Sequence, residues 1–212
     1  TMPYFNIADW GNSYCNGTWR GRPVIAQDKY PQWIEIGTSD RMNCFNGMDY
    51  LPFEVGDNGR DNKVLAMSNF FQDLMVFQEE KGIEGGCITL IQGYDTRTIE
   101  KSIISNSIGI VNSKAYAVVD GVPTPKDPKA ANAKMVFFIS RLGVHMTDGQ
   151  TVVRISDPMG IYFDTTDTTN CIRKGYEDKH WLKYDSLNKC IRIGLCTGTS
   201  ATIANTFLVY DI

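Results

Sequence analysis

Apolar residues along this 212-residue chain come in short runs separated by Gly, Asn, Asp and Pro. Most of these runs read as strands. YAVVD (Tyr116–Asp120) and MVFFIS (Met135–Ser140) are rich in β-branched and aromatic residues and apolar on both faces, as in strands covered on two sides. In CIRIGLC, Ile191, Ile193 and Leu195 share a face; in NTFLVYDI, Phe207 and Val209 point one way and Leu208 and Tyr210 the other. CITLIQGYD closes on a glycine turn. The stretch FFISRLGVHMTDGQTVVRIS, Phe137–Ser156, predicts three strands with corners at Arg141-Leu142-Gly143 and at Asp148-Gly149.

One segment fits two patterns. In NKVLAMSNFFQDLMVFQEE, Val64, Met67, Phe71 and Leu74 fall at helical spacing. The same residues divide into strands KVLAM and LMVFQ around a polar NFFQD corner. The hairpin is preferred, because the surroundings are strand-like and no capping residue precedes the segment. Hairpins are then expected around residues 64–78, 135–147 and 180–196. Short meanders at such intervals predict an all-β chain with a β-propeller-like arrangement, residues 1–212 forming one domain of about four or five blades or partial blades. An incomplete propeller from a longer chain fits the same pattern. A β-sandwich fits less well, since three strands in so short a stretch leave little length for long inter-sheet strands. DGVPTPKDPKAANAK, Asp120–Lys134, has three prolines and no apolar periodicity and predicts a surface loop.

Composition narrows the setting. An apolar fraction of 42% with 21% charged residues is that of an ordinary globular chain, long enough to bury a core without staples. A net charge of −3 argues against a nucleic-acid clamp, which carries a basic stripe. Cys15, Cys44, Cys87, Cys171, Cys190 and Cys196 form no C-x-x-C pair, and neither histidine lies near a cysteine in sequence, so zinc-finger spacing is absent. Cys190 and Cys196 share a strand face but lie too far apart to bridge each other. Free buried thiols, and assembly in a reducing cytoplasm, are the expectation. No apolar run approaches the ~20 residues that cross a bilayer, and TMPYFNIADW lacks the features of a signal peptide. A chain that begins with Thr1 reads as a processed product or a piece of something longer.

Candidate chemistry is sparse, and no catalytic, cofactor-binding or metal site is assigned. His145, beside a hairpin turn, takes an outward or packed strand position, and His180, in EDKHWLKY, reads as solvated. No G-x-S-x-G elbow presents a serine to either. Asp157, Asp164 and Asp167 cluster in SDPMGIYFDTTDTTN. Asp and Thr in loops cap turns through their own backbone, which is the preferred reading. Calcium ligation and a carboxylate pair for glycoside hydrolysis are the alternatives. GDNGRDN, Gly56–Asn62, lacks EF-hand spacing and reads as a tight turn, and GIEGGC lacks the lysine and helix of a phosphate cradle. Trp10, Trp19, Trp33 and Trp181 could stack on sugars if exposed, but core packing is the preferred role for most aromatic residues.

The segment FFISRLGVHMTDGQTVVRISDPMGIYF resembles a recurrent element of β-propeller structural proteins from bacteriophage tails and head–tail junctions. Phe138-Ile139-Ser140, Gly143-Val144, Asp148-Gly149 and Ile155-Ser156-Asp157-Pro158 carry the likeness. NKVLAMSNFFQDLMVFQEEKG is similar to the element that precedes it in that group, GTSDRMNCFNGMDYLPFEVGDNG to one further upstream, and NTFLVYDI to the LVYDL strand of a later blade. The four occur in the family's order over residues 18–212. His145 stands where the group usually has Tyr and suggests an exposed edge. A Trp-containing hairpin normally follows LVYDL, whereas this sequence stops at Ile212, so the last blade is expected to be completed from elsewhere or to belong to a longer tail protein.

The resemblance implies a rigid, non-enzymatic virion component, assembled in the host cytoplasm as a homo-oligomeric ring of the nozzle or adaptor type. Its neighbours would be other tail, portal or adaptor proteins. Phage DNA would pass during genome ejection without sequence-specific binding, which an acidic or neutral lumen favours because a basic one would hold the phosphates. No cofactor and no membrane anchor are implied. A carbohydrate- or receptor-binding propeller is the alternative.

Overall fold

The computed structural model describes residues 13–27, 30–37, 45–52, 62–80, 85–93, 98–122 and 133–212. It is all-β, with four antiparallel sheets, none closed on itself. Two compact units divide the chain, Thr1–Gly109 and Ile110–Ile212, and each holds two sheets. Trp10, Cys44, residues 56–61 of GDNGRDN and residues 123–132 of the proline-rich loop lie outside the described residues.

In the first unit, β1 (Ser13–Trp19), β2 (Arg22–Gln27), β3 (Tyr30–Gly37) and β4 (Phe45–Pro52) form one meander in chain order. A second follows with β5 (Val64–Phe70), β6 (Asp73–Gln78), β7 (Ile88–Gln92) and β8 (Glu100–Ser105). The ambiguous segment is thus a hairpin. Its corner is only Phe71-Gln72, tighter than the expected NFFQD, and Phe71 adopts a left-handed φ of +56° with its ring exposed. The apparent helical spacing arises because β5 and β6 are buried on both faces, so apolar residues occur at odd and even positions alike. The core joins the two sheets: Cys15, Trp19, Val24, Ala26, Ile34 and Ile36 from the first meet Val64, Met67, Leu74, Val76 and Ile91 from the second. Asn62, the described end of GDNGRDN, is buried; its amide donates to the Gly85 carbonyl at 3.0 Å and its own carbonyl accepts from Gln78 Nε2 at 2.9 Å.

The second unit contains β9 (Tyr116–Val122), β10 (Ala133–Ile139), β11 (Val144–Thr147) and β12 (Val152–Arg154) as a four-stranded meander. After 3-10 turns at Asp157–Tyr162 and Glu177–Lys179 come β13 (Trp181–Asp185), β14 (Cys190–Leu195) and β15 (Thr206–Asp211), a three-stranded sheet. The hairpins expected around 135–147 and 180–196 are both present, and both corners of Phe137–Ser156 fall where the sequence puts them. Met135, Val136, Phe137, Phe138 and Ile139 are all buried, so β10 is covered on both faces. Phe137 meets Tyr210 of β15 at a ring separation of 6.1 Å, and Phe138 stacks on His145 at 5.3 Å. Gly143 is required at its corner: its φ is +154°, and a Cβ there would overlap the Ser156 hydroxyl. That hydroxyl accepts the Val144 N–H at 3.0 Å and Arg154 Nε at 3.2 Å, tying the corner to the end of β12.

Candidate functional site

A groove of about 690 Å³ opens in the second unit where β9 and β13 run side by side. The Leu182 N–H donates to the Lys114 carbonyl at 3.0 Å and draws the two strands together. Alternation then fixes the lining. On β9, Ala117 and Val119 point inward and Tyr116 and Val118 stay half-buried; on β13, Leu182 points inward and Trp181 and Lys183 outward. The Trp181 indole lies over Gly194 of β14, where any Cβ would collide with it, and its other neighbour is Phe207 at 6.2 Å. Lys114, Tyr116, Trp181 and Lys183 therefore bring two ammonium groups and two aromatic rings to one open surface. The lining holds no carboxylate, thiol or imidazole. Such a surface can stack against a ring and attract an anion.

His180 corrects its expected solvated position, and His145 takes the packed of its two expected strand positions. His180 is buried, with 1% of its surface exposed, because its backbone and ring bond to Asn112 and Cys196 rather than joining the neighbouring charges. Its carbonyl accepts from Asn112 Nδ2 at 2.9 Å, and its Nδ1 accepts the Cys196 N–H at 3.0 Å. The ring proton therefore sits on Nε2, which has no hydrogen-bond partner among the described residues. His145 is buried as well, not at an exposed edge, since β11 runs between β10 and β12 and turns the ring onto Phe138. Its Nε2 lies 2.8 Å from Ser140 Oγ, which also accepts the Leu142 N–H at 2.9 Å. A serine and a base at that distance resemble an activated nucleophile. Ser140 is fully buried, however, and its hydroxyl is engaged in the turn. Desolvation lowers the His145 pKa to about 4, with the Arg154 guanidinium adding to the effect, and lowers that of His180 for the same first reason.

The acidic loop does turn chemistry. Asp164 Oδ1 accepts the Thr166 N–H at 2.9 Å and the Thr166 hydroxyl at 2.7 Å. Asp167 accepts the N–H groups of Thr169 and Asn170 and the Asn170 amide, while Asp157 is exposed and pairs with Arg154 at 3.4 Å. These bonds hold both loop carboxylates below the usual range, the Thr166 hydroxyl and the Asn170 amide being the main causes. Among the described residues no group of three or more His, Cys, Asp or Glu is arranged to hold a metal ion. Cys15, Cys87, Cys190 and Cys196 are free and buried, as expected, and Cys171 is free but half-buried. Trp19 is core, whereas Trp33 and Trp181 are half-buried.

Sequence reasoning missed the groove, because Lys114 and Lys183 acquire meaning only when β9 and β13 lie together. It also gave no weight to the outer edge of β15, where Phe207 and Val209 are 66% and 64% exposed. The alternation read in NTFLVYDI is present, and its Phe207 face is the open one. No protein-family model matches the chain, and no curated protein matches it.

Proposed function

We propose that this chain is a structural, non-enzymatic component of a bacteriophage tail, a nozzle- or adaptor-type β-propeller forming part of the genome-ejection conduit. The observation that carries the reading is the order of the strands. Sheet after sheet runs in chain order, antiparallel and nearest-neighbour, as successive blades of a propeller require. The four ordered sequence elements supply the link to phage tails, and a net charge of −3 suits a wall that DNA phosphates slide past. Ring assembly is part of the proposal, with neighbouring tail proteins as partners and the virion as the location.

Electron cryomicroscopy of the intact native gene product is the test. A ring of defined stoichiometry, and recovery of the protein in purified tails, would support the reading. A free secreted protein outside any phage or prophage neighbourhood would sink it.

The groove favours a second reading, a carbohydrate- or receptor-binding module. Tyr116 and Trp181 offer rings, and Lys114 and Lys183 offer charge for an acidic sugar. Selective glycan-array binding that disappears in Lys183→Ala, an exposed position whose loss leaves the fold intact, would shift the conclusion to this reading.

A further inference from the structure

We propose that residues 173–180 form an acid-released strap, whose His180 end leaves Cys196 when the imidazole takes up a proton while the sheets beneath stay folded. The inference is independent of the tail reading and of what the groove binds, and it starts from one peptide unit. Cys196, fully buried just beyond β14, bonds both ends of the segment. Its carbonyl accepts the Arg173 N–H at 2.8 Å, and its N–H donates to His180 Nδ1 at 3.0 Å. Between these points Lys174, Gly175, Asp178 and Lys179 are exposed and Tyr176 and Glu177 half-buried; of the whole segment only His180 is buried.

The two ends answer acid differently. The Arg173 end is held by backbone groups and by the guanidinium, which donates to the Ala201 carbonyl and lies 3.9 Å from the centre of the Tyr176 ring. None of these groups titrates near neutral pH. At the other end, Nδ1 can accept the Cys196 N–H only while it carries no proton of its own. A charged ring has an N–H on both nitrogens, so Nδ1 would aim a donor at a donor. Nε2 has no hydrogen-bond partner among the described residues, and the 1% exposure leaves the charge without water. The charged ring is therefore stable only outside its present pocket. Gly175, with a φ of +83° and nothing within 4 Å of where a Cβ would stand, gives the strap a pivot.

The surrounding charges set the direction of movement. On the strap itself, Glu177 and Asp178 favour the charged ring, and both lie nearer the surface than His180 does. Lys179 is bonded to Asp178, and Lys114, from the loop before β9, acts on Asp178 as well. Arg141, at the corner between β10 and β11, pairs with Glu177 at 3.3 Å. The Cys196 thiol stays neutral, because burial raises its pKa. Asn112 Nδ2, which donates to the Glu177 and His180 carbonyls, holds the backbone but cannot satisfy the ring. Desolvation keeps the pKa of the closed ring below 6.5, so the strap is closed above about pH 6.5 and opens progressively below it. The two carboxylates offset desolvation at His180, whereas Arg154 reinforces it at His145, so His180 charges first.

Amide hydrogen exchange of the full chain, followed by NMR at about pH 7 and about pH 5 and corrected for intrinsic rates, tests the strap. Protection of the Cys196 N–H should fall by a factor approaching ten for each pH unit below about 6.5, while the amides of β10 keep theirs. His180→Asn, whose side-chain oxygen can accept the Cys196 N–H without titrating, should hold the strap closed at both pH values. Nitrogen NMR of the wild-type imidazole needs no variant. It should find the proton on Nε2 near neutral pH, and a second proton reaching Nδ1 over the range in which Cys196 loses protection. Equal protection of Cys196 at both pH values overturns the proposal, as does titration of the ring without that loss. So does a loss shared by β10, which would be unfolding of the sheet, or a pH response that survives in His180→Asn.

Discussion

The two sheets of the second unit differ by one strand, and that strand changes what their last elements look like. In the four-stranded sheet, β10 and β11 lie inside and one edge falls on β12, three residues long. In the three-stranded sheet, β14 is interior and one edge falls on β15, six residues long. Burial follows the same division. Phe137 and Phe138 are covered on opposite faces of β10, while Phe207 and Val209 stand open on β15. A strand's composition therefore reports its place in the sheet: apolar and covered on both faces at the centre, and alternating between exposed and half-buried at the edge.

The largest effect should come from the centre of the four-stranded sheet. Phe137→Ala removes a ring that is 1% exposed and packs against Tyr210 of the neighbouring sheet. Chemical denaturation should show a loss of about 3–5 kcal/mol, the usual range for Phe-to-Ala in a core. A loss below about 1 kcal/mol would mean that the two sheets of this unit do not share a core.

Acid provides the next test, through two buried histidines, one on β11 and one just before β13. Both have folded-state pKa values below the ordinary 6.5, so at mildly acid pH the unfolded chain binds more protons than the folded one. Stability is then fully present above about pH 6.5 and falls as the pH drops toward the folded values. For His145, with a pKa of about 4, the loss over that window is roughly 3 kcal/mol. Urea melts between pH 7 and pH 4 should trace this slope, and His145→Gln should flatten it. An unchanged slope in that variant would place the acid sensitivity elsewhere.

Much of the architecture was legible because strand alternation and turn residues are local. The hairpin from Val64 to Gln78 follows from strand-like surroundings and a missing helix cap, against its helical spacing, and the corners at Gly143 and Asp148-Gly149 follow from residues that fix turns. The histidines were not legible. His180 has charged sequence neighbours, Glu177, Asp178, Lys179 and Lys183, yet its ring faces inward, since burial depends on which way one residue points after a 3-10 turn. The groove was hidden for a related reason: Lys114 and Trp181 lie far apart in sequence, and tertiary hydrogen bonds such as Leu182–Lys114 and Asn112–His180 bring their segments together. The acidic loop was legible in outline. Asp164 and Asp167 engage the Thr and Asn residues that follow each of them, a pattern visible in DTTDTTN itself.

A smaller effect is expected at the corner between β11 and β12. Asp148 Oδ1 accepts the N–H groups of Gln150 and Thr151 at 3.0 and 2.8 Å, and the Thr151 hydroxyl at 3.2 Å. Asp148→Ala removes this local scaffold, at a corner that water reaches and that can be partly resolvated. The expected cost is about 1 kcal/mol by denaturant titration. Asp148→Asn, which keeps an acceptor oxygen, should recover most of it. Failure of Asn to do so would assign the effect to the carboxylate's charge rather than to its hydrogen bonds.

The smallest stability effect should come at β15, and it sharpens the comparison most. Val209→Lys, measured at a concentration where the chain is monomeric, should change stability by no more than about 0.5 kcal/mol, because the side chain is 64% exposed and its sheet face is open. The same substitution at Val144, fully buried beside β10, puts an ammonium group into the core and should prevent stable folding. Both sites are valines in strands of one unit, and only sheet position separates them. If Val209→Lys proves strongly destabilising, the exposed face of β15 is covered within the chain, and sheet position does not separate the two valines.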